Sequence, residues 1–200
     1  MERPDFWQIE QSYFDKGVQT ICGVDEAGAG PLAGRVYAAA VILSRGWDAH
    51  YLNDSKKVTE KRREGLYERI IREAESYAIA WADEKEIDEI NILNARMLAM
   101  ERAIQALDRT PDLALIDGNR STGITCPNET VVKGDARSAS IAAASILAKV
   151  ARDRYMLEQA ERYPQYAFEK HKGYPTKLHY ERLREYGPSP IHRLTFLKKL

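Results

Sequence analysis

The segment ICGVDEAGAGPLAGRVYAAAVIL, residues 21–43, decides the fold of this chain. It holds two short apolar runs joined by a turn of small residues, which predicts a strand, a turn and a second strand. Asp25 and Glu26 end the first run, and glycines follow from Gly28 onwards. Successive side chains of a strand point to opposite faces, so both carboxylates reach one site only if the strand ends or bends at Glu26, which the glycines would allow. The segment therefore predicts acidic groups beside backbone that a ligand can approach closely.

Two alternatives compete with this interpretation of the turn. Gly28, Gly30 and Ala33 loosely fit the dinucleotide fingerprint G-x-G-x-x-G/A. That fingerprint must open a helix, whereas residues 36–43 are rich in alanine and β-branched residues and predict a buried strand. Two acids directly before the loop would also repel a phosphate unless a metal cation lay between them. A tight hairpin with an exposed Asp-Glu pair stays open as the second alternative on this segment alone.

The composition is that of an ordinary globular protein with one domain. The chain has 200 residues, of which 30% are charged and 44% are hydrophobic. The longest apolar run, residues 36–43, is too short to span a bilayer, and residues 1–17 are charged rather than signal-like, so a cytoplasmic protein without membrane association is expected. Cys22 and Cys126 are too few for a disulfide scaffold and lack metal-binding spacing, and both are expected to be reduced thiols.

Charge is unevenly distributed along the chain, although the net charge is zero. Residues 1–130 hold 16 Lys and Arg against 23 Asp and Glu, a balance of −7, and residues 131–200 hold 14 against 7, a balance of +7. If the two parts pack together, an acidic pocket lies beside a basic flank, which suits a polyanion that is cut with the help of a metal. Two solvated faces of mixed charge are the alternative.

The rest of the chain alternates between helices and strands. Further strands are predicted at residues 77–81, 113–116 and 130–132, and helices at residues 4–15, 59–75, 92–107, 138–163 and 176–186. Three successive strands followed by single strands between helices predict an α/β sheet covered by helices on both faces. We expect one domain over residues 1–200, with residues 164–200 as a small C-terminal helical extension.

Four acidic residues stand where predicted strands end or a helix opens, namely Asp25, Glu26, Asp117 and Asp135. Open α/β sheets place their sites at such ends. At about 5 Å and an effective dielectric near 20, each like-charged pair costs roughly 3 kcal/mol, so folding either protonates some of these groups or draws in divalent cations. Oxygen ligands without nearby His or Cys select Mg²⁺ or Mn²⁺. A lasting ion pair between one of these acids and an arginine would argue against such a site.

This donor set favours nuclease chemistry over the other common use of carboxylates. Two divalent ions about 4 Å apart can activate a water and stabilise the departing oxygen of a phosphodiester in one in-line step. A glycosidase also uses two carboxylates, but it keeps one of them protonated in an apolar pocket and needs neither four acids nor a basic flank. The residues therefore predict a metal-dependent nuclease.

Seven motifs between residues 23 and 193 are similar to those of a known family. In chain order they read GVDEAGAGPLAG, NDSKK, NILNARMLAMERAI, LIDGN, VKGDARSASIAAASILAKVARDR, HKGY and YGPSPIHR. Together they resemble ribonuclease HII, of the type 2 ribonuclease H family. The resemblance implies an RNase H-like α/β fold, with a mixed five-stranded sheet flanked by helices and a small C-terminal helical extension.

The resemblance also implies an activity. Such an enzyme uses Mg²⁺ or Mn²⁺ to hydrolyse the RNA strand of RNA/DNA hybrids. It also cuts on the 5′ side of single ribonucleotides embedded in duplex DNA, leaving 3′-hydroxyl and 5′-phosphate ends. We expect two bound ions when substrate is present, and a monomeric protein.

The same resemblance assigns roles to individual residues. The four acids match the catalytic, metal-binding acids of the family. The backbone of Gly28, Ala29 and Gly30 matches the turn that reads the ribose 2′-hydroxyl and its phosphate. Lys56 matches a phosphate contact, and Tyr174 matches the tyrosine that stacks on the sugar past the junction.

Basic residues near the fifth strand are expected to line a bound duplex. Lys133 and Arg137 are the first candidates. Lys149, Arg152 and Arg154 are weaker candidates, because a run of charge on a helix is usually a solvated face.

Ala29 is a departure from the family pattern, whose turn usually reads Gly-Arg-Gly. Backbone donors survive the alanine, whereas a charge-assisted phosphate bond worth about 1.5 to 3 kcal/mol does not. This predicts weaker substrate binding or an altered junction preference with the chemistry intact. Two other functions stay open: an RNase H-like two-metal nuclease without ribose selection, and a hybrid-binding variant impaired in turnover.

Overall fold

One sheet of five strands forms the centre of the computed structural model, which describes residues 5–52 and 59–198. The strands are β1 Ile21–Ala27, β2 Val36–Ile42, β3 Ser76–Ala82, β4 Leu113–Asp117 and β5 Asn128–Val131. The α-helices are α1 Gln8–Phe14, α2 Glu60–Glu73, α3 Glu84–Gln105, α4 Ala139–Arg162, α5 Phe168–His171 and α6 Lys177–Tyr186. Each predicted strand and helix is therefore present, with shifts at the ends.

The sheet is mixed, with the strand order β3-β2-β1-β4-β5. β2 runs antiparallel to both β1 and β3, whereas β4 runs parallel to both β1 and β5. The central strand β1 thus has an antiparallel neighbour on one side and a parallel neighbour on the other. This confirms the predicted α/β class with a mixed five-stranded sheet.

Helices cover both faces of the sheet, as the alternation of the strand residues requires. On one face, Val24 of β1 packs in a cluster with Ile87 and Met100 of α3. On the other face, Val41 of β2 packs with α4. A Cβ added to Gly23 would lie 2.1 Å from the carbonyl carbon of Ser140, so only glycine lets α4 approach β1 this closely.

Helix α3 begins earlier than the sequence pattern indicated. It starts after Asp83, which forms a capping box with Glu86, and it is interrupted at Asn91, where φ is 64° and ψ is 163°. The Asn91 side-chain oxygen accepts hydrogen bonds from the backbone N–H groups of Leu93 and Asn94, and so caps the second half of the helix. The prediction captured only this second half, because the first half is short and has its own cap.

The residues after α4 pack against the turn between β1 and β2. Residues 164–175, which lie between the last two predicted helices, contain a 3₁₀ turn at Pro164–Tyr166 and the short helix α5. The Leu32 N–H donates to the Gly173 carbonyl at 2.8 Å, and the Arg193 N–H donates to the Leu32 carbonyl at 2.9 Å. The C-terminal part of the chain therefore holds the turn in place.

Within the described ranges, no helix has the length and apolar character needed to cross a membrane.

Candidate active site

Strand register brings the predicted acids to one end of the sheet. Val24 of β1 pairs with Ile116 of β4 in parallel register, so Asp25 and Asp117 follow on adjacent strands. Asp135 lies in the 3₁₀ turn Gly134–Ala136 that follows β5, and its N–H donates to Asp117 Oδ1 at 3.3 Å. Asp25 and Asp135 are both buried. Four acids that are far apart in the chain therefore lie near one another.

Strand β1 does not end or bend at Glu26, and this part of the prediction was wrong. Pairing with β2 continues in regular register through Glu26 and Ala27, although pairing with β4 stops at Val24. The Glu26 side chain consequently lies on the α3 side of the sheet. There its Oε1 accepts a hydrogen bond from Arg96 Nη2 at 2.7 Å.

This ion pair is the kind of contact that would argue against a metal site, but it engages only part of the carboxylate. Glu26 Oε2 is buried and has no hydrogen-bond partner in the described parts of the chain. A buried oxygen without a partner costs about 1 to 3 kcal/mol, so it is a strained feature unless a ligand completes it. Glu26 therefore keeps one oxygen available for a cation.

Crowding and burial disfavour the ionised acids. Burial first, and then the charges of Glu26 and Asp117, hold the pKa of Asp25 well above its usual range, although Ser145 donates a hydrogen bond to it. Burial also raises the pKa of Glu26, even though the Arg96 guanidinium beside it acts in the opposite direction. Divalent cations would remove this penalty, because each would compensate two negative charges.

The donor set fits a hard divalent cation. In residues 5–52 and 59–198, no three Asp, Glu, His or Cys side chains stand close enough to hold one ion between them as they are. The neighbouring donors are nevertheless all carboxylate oxygens, and one of them is buried without a partner. Asp25, Glu26, Asp117 and Asp135 could hold Mg²⁺ or Mn²⁺ through these oxygens, and that role stays a prediction.

A groove of about 300 Å³ opens beside these acids. Its lining consists of Glu26, Ala27, Gly28, Arg63, Ser145, Ile146, Lys149 and Tyr174. Arg63 and Lys149 place positive charge in the groove, and the Lys149 Nζ also lies 2.5 Å from Asp153 Oδ1. Because its lining includes two basic residues as well as Glu26, the groove can accept a phosphate-bearing strand.

The glycine turn forms one wall of this groove, as predicted. Gly28 has φ of +95°, and an added Cβ would lie 2.0 Å from Arg152 Nε, so no other residue fits there. A Cβ on Gly30 would lie 3.9 Å from the Tyr174 ring, which is 40% exposed. The structure therefore brings the turn, Tyr174 and Glu26 to one groove.

Arg193 braces the turn from inside the protein, and the sequence analysis missed it. Its side chain is buried, and its guanidinium donates to the carbonyls of Gly28 at 2.7 Å, Ala29 at 3.1 Å, Pro31 at 2.8 Å and Gly34 at 2.6 Å. With these carbonyls turned inward, the turn is held in one conformation at the groove. The only signal in the sequence was the position of this arginine in the motif YGPSPIHR.

Arg152 is buried, so the weaker prediction that it lines a bound duplex was wrong, whereas the same role for the exposed Arg154 stays a prediction. Arg152 is buried and donates to the carbonyls of Ala33 at 3.2 Å and Lys172 at 3.0 Å. Arg154 is paired with two glutamates of α2. A run of basic residues on a helix did not reveal which of them point inward.

The structure describes two of the three other predicted substrate contacts. Lys133 and Arg137 flank Asp135 and are exposed, and Arg137 also donates to the Val132 carbonyl at 3.2 Å. Their roles in binding stay predictions. Lys56 lies outside the described residues.

Neutral imidazoles hold the backbone of Tyr174. The Ser189 N–H donates to His192 Nδ1 at 2.8 Å, so the proton of His192 lies on Nε2 and is donated to His179 Nε2 at 2.9 Å. The proton of His179 therefore lies on Nδ1 and is donated to the Tyr174 carbonyl at 3.0 Å. Burial lowers the pKa of both rings to about 4, which keeps this chain of bonds intact near neutral pH.

Comparison with known proteins gives a family match over most of the chain. The model of the family described as Ribonuclease HII matches residues 22–199. A ribonuclease HII from Caldicellulosiruptor bescii is 51% identical over 199 residues, which cover 100% of this chain and 97% of the relative.

Solved structures show the same fold. The ribonuclease H2 of Pyrococcus horikoshii OT3 is 26% identical with a TM-score of 0.72, over 88% of this chain and 93% of that one. Bst-RNase HIII in complex with Mn²⁺ is 17% identical with a TM-score of 0.65, over 85% of this chain and 63% of that one, and supports the fold alone. The predicted RNase H-like architecture is thus confirmed.

The family match over residues 22–199, together with the mixed sheet and its cluster of acids, leads to one conclusion. The chain belongs to the ribonuclease HII family and is a metal-dependent ribonuclease that acts on RNA/DNA substrates.

Proposed function

We propose that this enzyme hydrolyses the RNA strand of RNA/DNA hybrids and cuts duplex DNA on the 5′ side of single embedded ribonucleotides. The products would carry 3′-hydroxyl and 5′-phosphate ends. The observation that carries the proposal is the groove in which Glu26, Gly28 and Tyr174 meet. Its lining includes Glu26, a glycine of the turn and an aromatic ring.

Each wall of the groove has its own task in this proposal. The backbone of Gly28, Ala29 and Gly30 would bind the ribose 2′-hydroxyl and its phosphate, since close backbone donors can distinguish RNA from DNA. The Tyr174 ring would pack on the sugar beyond the junction. Arg63 and Lys149 would balance the phosphate charge of the strand. Lys133 and Arg137 would contact the duplex beyond the acids.

The acids would supply the reactive centre. Asp25, Glu26, Asp117 and Asp135 would hold two ions of Mg²⁺ or Mn²⁺. When bound, such ions activate water at neutral pH and stabilise the departing oxygen. The residues' own part is to hold their oxygens at one end of the sheet, beside the groove that positions the scissile strand.

The protein is proposed to act as a monomer and as a single domain with residues 164–200 as an extension. Among the described residues, the acids, the turn and Tyr174 all belong to one chain, and Arg193 joins the C-terminal part to the turn. Size-exclusion chromatography with light scattering would test this, and a stable dimer would contradict it.

The decisive experiment compares three matched duplexes of one sequence: all DNA, DNA with one ribonucleotide, and an RNA/DNA hybrid. Each is incubated with Mg²⁺, Mn²⁺ or a chelator, and the product ends are mapped on a sequencing gel. We expect metal-dependent cleavage of the last two duplexes, with the single cut on the 5′ side of the ribonucleotide. Equal cleavage of the all-DNA duplex would instead favour a nuclease without ribose selection.

A second candidate function has one observation in its favour. Ala29 brings no guanidinium to the turn, so a protein that binds hybrids but turns over slowly is the alternative. Tight binding of the ribonucleotide duplex, without cleavage in either metal, would support it.

A further inference from the structure

Arg96 contacts Glu26, one of the four clustered acids, where no basic residue was expected. It belongs to the second half of α3, and its Nη2 lies 2.7 Å from Glu26 Oε1. A Cβ added to Gly118, the residue after Asp117, would lie 3.7 Å from the same Nη2. The guanidinium is therefore lodged between the acid of β1 and the end of β4.

The contact is partly buried and incomplete on both sides. The Arg96 side chain is 24% exposed and that of Glu26 is 11% exposed. Arg96 Nε and Glu26 Oε2 are each buried without a hydrogen-bond partner in the described part of the chain. The pair is thus a single-point contact rather than a two-pronged one, and it leaves each group ready for another partner.

A guanidinium at this position has two opposite consequences for a divalent cation. It compensates the negative charge that Glu26 shares with Asp25 and Asp117, so the cluster is tolerated without metal. It also repels an incoming cation and competes with it for a carboxylate oxygen.

We propose that Arg96 is a positioning residue that holds Glu26 in the metal-free protein and weakens divalent-cation binding to the acids. This inference rests on the proposed metal-binding role of the four acids. The second half of α3 places Arg96 at this position, because the cap at Asn91 restarts the helix beside the end of β4.

The test is a titration of the full-length protein with Mn²⁺, in which the electron paramagnetic resonance signal counts the free ion. Arg96→Gln removes the charge, and Arg96→Lys keeps it. We expect Arg96→Gln to bind Mn²⁺ about tenfold more tightly than the unmodified protein, which corresponds to about 1.4 kcal/mol at 25 °C. Arg96→Lys should stay within about twofold of the unmodified protein.

Arg102→Gln is the matched control. Arg102 lies on the same helix and also pairs with a glutamate, away from the four acids. This contact is two-pronged, with Nη1 3.0 Å from Glu86 Oε2 and Nη2 2.6 Å from Glu86 Oε1. It should leave Mn²⁺ affinity unchanged. If Arg102→Gln tightened binding as much as Arg96→Gln, the effect would be one of net charge, and the inference would be overturned.

Thermal unfolding gives a second reading that does not depend on activity. In a chelator, Arg96→Gln should unfold at a lower temperature than the unmodified protein. Saturating Mn²⁺ should then raise the unfolding midpoint of Arg96→Gln by more than it raises that of the unmodified protein. Unchanged or weaker Mn²⁺ binding by Arg96→Gln, in a protein with a native circular dichroism spectrum, would overturn the inference. By contrast, an unmodified protein that bound no Mn²⁺ at all would contradict the proposed function itself.

Discussion

The acidic cluster and the turn of residues 28–34 lie side by side, but they solve the problem of buried charge in opposite ways. The cluster gathers carboxylates whose like charges disfavour ionisation, and Arg96 compensates only one oxygen of one of them. The turn surrounds Arg193 with carbonyl oxygens, which satisfy the guanidinium without any carboxylate bonded to it. The first region needs a ligand to complete it, whereas the second is complete in the folded chain.

The difference teaches where to look for function and where to look for stability. An incomplete acidic cluster is stabilised when it binds a cation, so its residues should affect metal binding and catalysis. Any substitution in a completed hydrogen-bond network removes bonds and lowers stability, so its residues should affect the folding of the turn.

Asp117→Asn should separate activity from stability most clearly. Losing a ligand oxygen removes several kcal/mol of transition-state stabilisation, so cleavage should slow by about a hundredfold to a thousandfold. Because one negative charge leaves the crowded cluster, stability in a chelator should rise by about 1 kcal/mol. Single-turnover cleavage and urea unfolding measure the two effects. A variant that loses activity through unfolding would contradict the division.

Arg193→Met should have the reverse signature. The change leaves several buried carbonyls without donors, at about 1 to 3 kcal/mol each, so the free energy of unfolding should fall by about 3 kcal/mol or more. The Mn²⁺ affinity of the folded fraction should stay the same, because the acids lie outside this network. Arg154→Met is the control, since its exposed pairs with α2 should be worth less than about 1 kcal/mol. Equal losses in both variants would argue against a bracing role.

The pH dependence of stability should reveal the imidazoles behind Tyr174. His179 and His192 have pKa values of about 4 in the folded protein, against about 6.5 in the unfolded chain. The unfolded state therefore binds more protons between these values, and stability should fall as pH falls from about 6.5 to 4, by about 3 kcal/mol for one ring. Urea unfolding in a chelator at several pH values measures this slope.

Histidine variants separate the contribution of the imidazoles to this pH dependence from that of the acids. The raised pKa values of the acids change stability with pH in the opposite direction. Asp25 and Glu26 take up protons more readily when folded, so their contribution makes the protein more stable as pH falls through their raised values. His192→Gln should flatten the decline on the acid side. His50→Gln should not, because the His50 side chain is 72% exposed. A decline that persisted unchanged in His192→Gln would refute the assignment.

Ala29→Arg should give the smallest effect. A guanidinium restored to the turn could bond a substrate phosphate, and should tighten binding of a single-ribonucleotide duplex about fivefold to tenfold, which is about 1 to 1.4 kcal/mol. Ala29→Met adds length without charge and should leave affinity near that of the unmodified protein. Fluorescence anisotropy with a labelled duplex in a chelator measures these affinities. If Ala29→Arg bound the duplex no more tightly than the unmodified protein, a phosphate contact by an arginine at this position would be excluded.

Much of the fold could be predicted from local pattern. The apolar runs at residues 21–27 and 36–42, the small residues of α4 and the cap at Thr59 are local signals, and the elements appear where these signals stand. The four acids were singled out because they stand where predicted strands end or a helix opens. The first half of α3 was missed because its cap at Asp83 and its restart at Asn91 depend on side-chain bonds rather than on periodicity.

Local patterns were enough to identify the family, the five strands, most of the helices and the carboxylates that end strands. Only the tertiary structure decided that Glu26 bonds to Arg96, that Arg152 and Arg193 point inward to carbonyls, and that His179 supports Tyr174. The physical reason is that periodicity reports which side of an element is apolar. The partner of a charged or polar side chain is set by how distant elements pack, and α3, α4 and the C-terminal residues meet only in the folded chain.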